Sequence, residues 1–337
     1  MPSTQQSSAR KTPVRKAAPR KRPVSRAKAA ASPAYKTFTG LGAADYVTPP
    51  HVAEIVNLAA WLGRPILVEG EAGCGKTRLA FAIAAELELG EPVTTTVKST
   101  SQAKDLLYRF DALRRLQDAQ DKNNRQARDI WRYIELQPLG RALAAGDPAL
   151  VLIDEVDKAD IDFPNDLLDL LDRFEFDIDE LPAEQSAACQ RAKGFSRRVR
   201  APAGGVRPIV VITSNREKQL PEPFLRRCLY VQLQFPEHED TLRAIVRKNL
   251  TLEGDSVSDA LIAQAVAAFR KVREAARERA LQKPPATSEL VDWVRALHWR
   301  SRADAVPGAD TLDEVDRALL FKVQKDLERW DAGATPR

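Results

Sequence analysis

The stretch from Ile66 to Gly90 limits the fold more than any other. Ile66-Leu67-Val68 is an apolar run of strand length, and Gly70-Glu71-Ala72-Gly73-Cys74-Gly75-Lys76-Thr77 follows it. Between Arg78 and Leu89, the residues Leu79, Ala82, Ile83 and Leu87 recur at helical spacing, with Gly90 as a stop. Strand, glycine loop and helix in this order satisfy G-x-x-x-x-G-K-[ST], a pattern that holds phosphate. Glycines 70, 73 and 75 let backbone N–H groups converge on anionic oxygens at a helix N-terminus, where the dipole also favours negative charge. The binding stretch is therefore Gly70, Glu71, Ala72, Gly73, Cys74, Gly75, Lys76, Thr77 and Arg78. Within it Lys76 would reach the β- and γ-phosphates, and the Thr77 hydroxyl would ligate Mg²⁺. A chance match in a glycine-containing turn would lack the flanking strand and helix.

At 337 residues the chain has room for one large or two modest domains. Its longest apolar runs, such as Ala149 to Ile153, fall far short of the roughly 20 residues that a membrane span needs. A soluble, cytoplasmic protein is expected. Cys74, Cys189 and Cys228 have neither metal-ligand spacing nor an even framework, which favours a reducing compartment. Cys74, inside the loop, reads either as a redox-sensitive thiol or as a small residue without special chemistry. Residues 1–34 hold nine Lys or Arg and no acid; the chain's 52 basic residues less these nine leave 43 against 47 acidic, a balance of −4 beyond the tail. Filled out with Pro, Ala and Ser, this tail cannot build a core and is expected to be disordered. It reads as a weak polyanion-binding arm, a solubilising or regulatory extension, or an organellar transit segment.

Further along, His51 to Trp61 carries Val52, Ile55, Val56, Ala59 and Ala60 at helical spacing, and Pro92 to Val97 reads as a strand. Asp105 to Leu116, with Leu106, Leu107, Phe110, Leu113 and Leu116, predicts an amphipathic helix, and Gln117 to Arg128 a loop or an exposed extension. Trp131 to Ala145 predicts another helix, leading through Gly146-Asp147-Pro148 into the strand Leu150-Val151-Leu152-Ile153. That strand ends in Asp154-Glu155. A buried parallel strand delivers its C-terminal carboxylates to the sheet edge where the phosphate loop also sits. Asp154 would hold the Mg²⁺ shell, and Glu155 would orient and partly deprotonate the attacking water. Pro208 to Asn215 is a further buried strand, ending in an amide that either positions this water or forms a simple turn. Pro221 to Cys228 then leads into Leu229 to Phe235, which alternates apolar and polar.

Between these strands, Asn165 to Phe174 places Leu167, Leu170, Leu171 and Phe174 on one helical face, with Asp166, Asp169 and Asp172 outward. Phe174 to Asp179 alternates like a strand, and Phe195 to Arg207 carries Arg197, Arg198, Arg200 and Arg207. Beyond Pro236 the pattern is helical throughout. Leu242, Ile245, Val246 and Leu250 form one stripe, Leu261, Ile262, Val266, Phe269 and Val272 a second, and Leu290, Val291, Val294 and Leu297 a third.

The phosphate loop, the apolar run ending in Asp-Glu, the strand ending in Asn, and Leu225-Arg226-Arg227-Cys228 before a last strand together resemble an AAA+ ATPase. Ile153-Asp154-Glu155-Val156-Asp157-Lys158-Ala159-Asp160 and Ser214-Asn215-Arg216-Glu217 resemble the MoxR family in particular, within a likeness spanning about residues 38–300. The resemblance implies an α/β P-loop NTPase fold, a parallel sheet flanked by helices and followed by an all-α lid domain. The expected division is a disordered basic tail at 1–34, a core at 35–235 and a lid with a C-terminal helix at 236–337. A pre-sensor-1 hairpin insertion falls at about 174–207, and Thr311 to Trp330 forms the last helix. By the same resemblance Asn215 is similar to sensor 1 and Arg227 to the arginine finger, which acts on the ATP of a neighbouring subunit in a ring, usually a hexamer. Arg226 either shares that role or makes a structural ion pair. The insertion around Leu181 to Lys193 is expected to project towards the ring pore or a partner, or else to be a disordered surface loop. One departure stands out: the family commonly has a sensor-2 Arg early in the third lid helix, where this chain reads Pro285-Ala286-Thr287-Ser288-Glu289-Leu290. Either Arg295 or Arg300 substitutes, or lid coupling is weaker.

The resemblance implies Mg²⁺-dependent ATP hydrolysis that remodels or metal-loads client proteins, with a von Willebrand factor A-type partner. A nucleic-acid-associated remodeller, suggested by the tail and the arginine cluster, is the first alternative. A nucleotide-gated scaffold with little turnover is the second. ATP and GTP are not distinguished, because the base pocket near Tyr46 and Val47 is not diagnostic.

Overall fold

The computed structural model describes residues 35–41, 46–121, 124–202, 205–252, 257–300 and 306–333. The basic tail and the Asp169 side chain lie outside the described residues. In chain order the elements are α1 (Pro50–Leu62), β1 (Ile66–Gly70), α2 (Lys76–Glu86), β2 (Val93–Thr96), β3 (Tyr108–Phe110), α3 (Ala112–Gln120), β4 (Ile134–Leu136), α4 (Pro138–Ala145) and β5 (Leu150–Asp154). They continue with α5 (Asp162–Arg173), β6 (Glu175–Asp177), α6 (Ser186–Lys193), β7 (Arg198–Arg200), β8 (Ile209–Ser214), α7 (Glu222–Leu225) and β9 (Leu229–Leu233). Five helices close the chain: α8 (Glu239–Leu252), α9 (Asp259–Glu278), α10 (Thr287–Trp299), α11 (Glu314–Leu320) and α12 (Gln324–Gly333).

Five strands form one parallel sheet in the order β2-β5-β8-β1-β9. Successive side chains of a strand point to opposite faces, so a strand covered on both sides must be apolar at every position. The central strands obey this rule up to their carboxyl ends, where β8 carries the buried polar residues Thr213 and Ser214. Ile66, Val68, Leu150, Leu152, Ile209 and Val211 pack with α1 and α2, whereas Leu67, Val151, Ile153, Val210 and Ile212 pack with α4 and α5. Pro50 at the first turn of α1 and Gly63 in the left-handed region after it set that helix's limits. The predicted stripes beyond residue 236, all but the half-buried Ile245, are buried together in a separate apolar cluster built around Phe269 and Trp293. The parallel sheet with its flanking helices is thus an α/β fold, followed by a helical C-terminal region.

Several expectations need correction. The phosphate-loop helix stops at Glu86, four residues before Gly90, and Glu88 already takes a left-handed backbone. Asp105 to Leu116 is not one helix: a 3-10 turn at Ala103–Leu106 gives way to β3, and α3 starts after Asp111, whose carboxylate accepts the Arg114 N–H. Leu113 and Leu116 are 66% and 60% exposed, so the apparent stripe does not face a core. Trp131 to Ala145 divides likewise into a 3-10 turn, β4 and α4, with Pro138 at the first position of α4. Strands β3 and β4 pair antiparallel, which satisfies backbone groups that a helix would have bonded internally. Thr311 to Trp330 is also interrupted, and α11 and α12 both pack on the helical region through Leu320, Phe321 and Trp330.

The arginine-bearing hairpin forms as β6 and β7, antiparallel, with Arg198 clamped in a bidentate pair on Asp177. Its insertion packs on the protein, which corrects the expectation of a disordered surface loop. Leu181, Cys189 and Phe195 are buried with Tyr108, Ile134 and Leu136 of the β3–β4 hairpin. Glu180 accepts a hydrogen bond from the Tyr108 hydroxyl at 2.7 Å and pairs with Lys104. Hydrophobic burial and these paired polar groups hold the insertion in place.

Candidate active site

The carboxyl ends of β1, β5 and β8 lie side by side, and the sequence-predicted residues of three separate segments meet there. Gly73 and Gly75 both take positive φ, 76° and 90°. A Cβ on Gly73 would lie 2.2 Å from Ser288 Oγ, and one on Gly75 would lie 3.2 Å from the Tyr46 ring, so glycine is required on both conformational and steric grounds. Lys76 is buried and its Nζ donates to the carbonyls of Gly70 and Glu71, each at 2.9 Å. Thr77 Oγ1 donates to Asp154 Oδ1 at 3.1 Å, which joins the start of α2 to the end of β5. A hydroxyl and a carboxylate in contact are hard oxygen donors. They fit a Mg²⁺ ion, which takes few protein ligands and completes its shell with water and phosphate. Among the described residues no group of three or more His, Cys, Asp or Glu could hold a metal ion.

Glu155 has a left-handed backbone, φ 61°, where β5 ends. Its Oε1 accepts Asn215 Nδ2–H at 3.1 Å and its Oε2 accepts Lys158 Nζ–H at 2.5 Å. Two residues not predicted from sequence fix this arrangement. Thr213 Oγ1 donates to Asp154 Oδ1 at 2.6 Å and accepts the Glu155 N–H at 2.8 Å, so one hydroxyl locks both acidic residues to β8. Asp157, only 1% exposed, accepts the Asn215 and Glu217 N–H groups.

Arg227 lies elsewhere. It precedes β9, whose Leu229 pairs with Ile66 and whose Leu233 pairs with Gly70. At about 3.3 Å per residue, the six positions from Arg227 to Leu233 separate it from its own phosphate loop by about 20 Å. Its side chain is 35% exposed and its Nε donates to Asp172 Oδ2 at 2.6 Å. Arg226 pairs with Glu222 one helical turn away. Arg64 donates to the Arg226 and Arg227 carbonyls, fixing the segment between α7 and β9.

A cleft of about 900 Å³ adjoins the loop, lined in part by Tyr46, Val47, Cys74, Arg78, Val291 and Arg295. Burial, and secondarily the nearby Cys74, push the Tyr46 hydroxyl above its ordinary range; burial likewise raises the Cys74 thiol, against the pull of Lys76. A raised thiol resists forming the reactive thiolate, which favours the small-residue reading of Cys74. At the start of α10 the Glu289 carboxylate accepts the Ala286 N–H at 2.9 Å, so it caps that helix. Arg300 pairs with Asp313 and Asp316, whereas Arg295 reaches the cleft. The C-terminal helices also touch the loop directly: Thr287 Oγ1 donates to the Gly73 carbonyl at 2.5 Å, and Arg273 Nη2 contacts Glu71 Oε2 at 2.7 Å.

A parallel sheet with a phosphate loop after one strand, an Asp-Glu pair after another and an Asn after the strand between them has the P-loop fold seen in AAA+ proteins. Residues 65–228, just under half of the chain, match the profile of the AAA domain (dynein-related subfamily). No curated protein matches the chain. Among solved structures, domain III of the Thermotoga maritima replication initiation protein DnaA is similar at 14% identity and a TM-score of 0.40, over 82% of this chain and 93% of that one. The Thermotoga maritima RuvB Holliday junction branch migration motor is similar at 15% identity and a TM-score of 0.41, over 76% of this chain, which spans 63% of the motor's length. Likenesses this distant do not carry either protein's activity over to this chain. Among the described residues, no helix is long and apolar enough to cross a membrane.

Proposed function

We propose that this chain hydrolyses ATP in a Mg²⁺-dependent reaction completed by a second copy of itself. The observation that carries the reading is the Asn215–Glu155 hydrogen bond of 3.1 Å beside the Thr77–Asp154 contact of 3.1 Å. A water-positioning amide, a carboxylate base and the two oxygen donors for Mg²⁺ then share one edge with the glycine loop. On nucleotide binding, Lys76 exchanges the Gly70 and Glu71 carbonyls for β- and γ-phosphate oxygens. Thr77 and Asp154 would hold a Mg²⁺ ion, which would supply charge neutralisation to the triphosphate. Asn215 orients the attacking water, and Glu155 takes up its proton once Lys158 releases Oε2. Arg227, too far from its own loop, reaches the phosphates of a neighbouring copy and stabilises the transferred charge there. The adenine base occupies the cleft beside Tyr46 and Val47.

The finer reading rests on the MoxR resemblance: a lid formed by residues 236–337, a hexameric ring in the cytoplasm, client remodelling or metal loading, and a von Willebrand factor A-type partner. The basic tail would add weak polyanion binding. A second reading, a nucleotide-gated scaffold with little turnover, is favoured by the Lys158–Glu155 pair, which engages the proposed base. Phosphate release by the parent, Glu155→Gln and Lys76→Ala proteins separates the two. The ATPase reading expects Glu155→Gln to lose turnover by orders of magnitude while keeping nucleotide affinity, and Lys76→Ala to lose affinity. Turnover in Glu155→Gln equal to the parent's would overturn it.

A further inference from the structure

We propose that Arg273 is a positioning residue that ties α9 to the phosphate loop through Glu71, so that the helical region follows the loop's nucleotide state. The proposal rests on the nucleotide-binding reading of the loop. Arg273 has a side chain only 3% exposed, in a helix whose other buried residues are all apolar. Desolvating a guanidinium is costly unless each face and edge is occupied, and here nearly every one is. Nη2 contacts Glu71 Oε2 at 2.7 Å, Nη1 donates to the Pro285 carbonyl just ahead of α10, and the guanidinium carbon lies 3.7 Å from the Phe235 ring centroid. Nε is buried without a hydrogen-bond partner. One side chain thus touches the loop, the segment between β9 and α8, and the approach to α10.

Glu71 connects this clasp to the nucleotide. Its carbonyl accepts Lys76 Nζ while its carboxylate holds Arg273. When Lys76 leaves that carbonyl for phosphate, the peptide at Glu71 loses a charged partner and is free to reorient, and the carboxylate shifts with it. Arg273 converts that shift into a displacement of α9 and, through Pro285, of α10. Planarity and bidentate reach suit Arg to this task, and Lys cannot reproduce them. Because Glu289 serves as the cap of α10, the clasp supplies a coupling cation from a different helix.

The test compares the parent with Glu71→Gln, Arg273→Met, Arg273→Lys and the Glu71→Gln/Arg273→Met double variant. One readout is amide hydrogen exchange of α9 and α10 with and without a non-hydrolysable ATP analogue; the other is steady-state turnover. The parent is expected to gain protection in α9 and α10 on adding the analogue, and both single neutral variants to lose that gain. kcat is expected to fall about tenfold while KM stays within about threefold, the double variant to be no worse than either single one, and Arg273→Lys to recover only part. Glu71 is 53% exposed, so Glu71→Gln decides the matter if Arg273→Met fails to fold. Analogue-induced protection retained in Glu71→Gln, or single effects that simply add, would overturn the proposal. Protection lost in Glu71→Gln from a parent that binds the analogue but releases no phosphate would support the clasp and defeat the ATPase reading.

Discussion

Asp157 Oδ2 accepts the backbone N–H of Asn215 at 3.0 Å, and the same oxygen accepts the Glu217 N–H at 2.8 Å. The turn after β8 is strained at Arg216, which has φ 63°, and this buried carboxylate holds it closed. Asn215 can therefore aim its amide at Glu155 only while Asp157 anchors its backbone. Asp157→Ala is expected to take the acceptor from two backbone N–H groups, one half-buried at Asn215 and one exposed at Glu217, costing about 1 kcal/mol and a few degrees in Tm. It should also lower kcat by about 10²-fold through misplacement of Asn215. Asp157→Asn keeps an acceptor and should retain most activity. Thermal melts and phosphate release on the two variants check this, and parental kcat in Asp157→Ala would contradict it.

Arg227 sits at the opposite end of β9 from its own phosphate loop, with about 20 Å of sheet between them. Arg227→Ala and Lys76→Ala should each be inactive alone. Mixing them should restore a fraction of parental turnover, because some junctions then pair an intact loop with an intact arginine. Arg226, in a surface pair with Glu222, should tolerate Ala with little loss. A mixture as inactive as its components would place the arginine's action within one chain or remove it altogether.

The parts of the fold that were readable from sequence are those whose signal is local. Glycine spacing, apolar runs ending in Asp-Glu or Asn, and the stripes of α8 to α10 each concern neighbours within one element, and the structure bears out their positions. The hairpin of β3 and β4 was misread because Tyr108 pairs with Leu136, and residues that far apart leave no period to find. Local signals nevertheless existed: Asp111 at the N-cap of α3 and Pro138 at the first position of α4 both mark a helix start inside the supposed helices. Thr213 looked like one more strand residue, since its two bonds depend on the register of β8 against β5. Arg273 was invisible in the same way. Its meaning comes from Glu71, far away in the chain, and a basic residue in a helix ordinarily reads as a solvated face.

The insertion should let go in acid. Burial alone would raise the Glu180 carboxyl, but hydrogen bonds from Lys104 and Tyr108 outweigh it and hold the group below its ordinary value. A lowered carboxylate binds fewer protons folded than unfolded, so its stabilisation is complete above about pH 4.3, the unfolded value, and fades as pH falls through the folded one. Cys189 reports the event: it belongs to α6 within the insertion, is buried against the β3–β4 hairpin, and burial pushes its thiol to about 11. A disulfide reagent active in acid should label Cys189 progressively faster below that pH. Glu180→Gln should flatten the dependence, and an identical profile in both proteins would remove Glu180 as its origin.

Val47 offers the most direct test of where the base sits. It is half-buried on the wall of the 900 Å³ cleft and belongs to no helix or strand, so enlarging it disturbs little packing. Val47→Trp would fill space that a purine needs while leaving Gly70 to Thr77 and their amides unchanged. Affinity for ATP should drop by more than about tenfold, because aromatic and apolar burial of the base contributes much of the binding energy in such a cleft. Affinity for inorganic tripolyphosphate, which engages only the loop, should stay at the parental value. Equal losses for both ligands would mean that the substitution distorts the loop, and no loss for either would mean that the base lies outside this cleft.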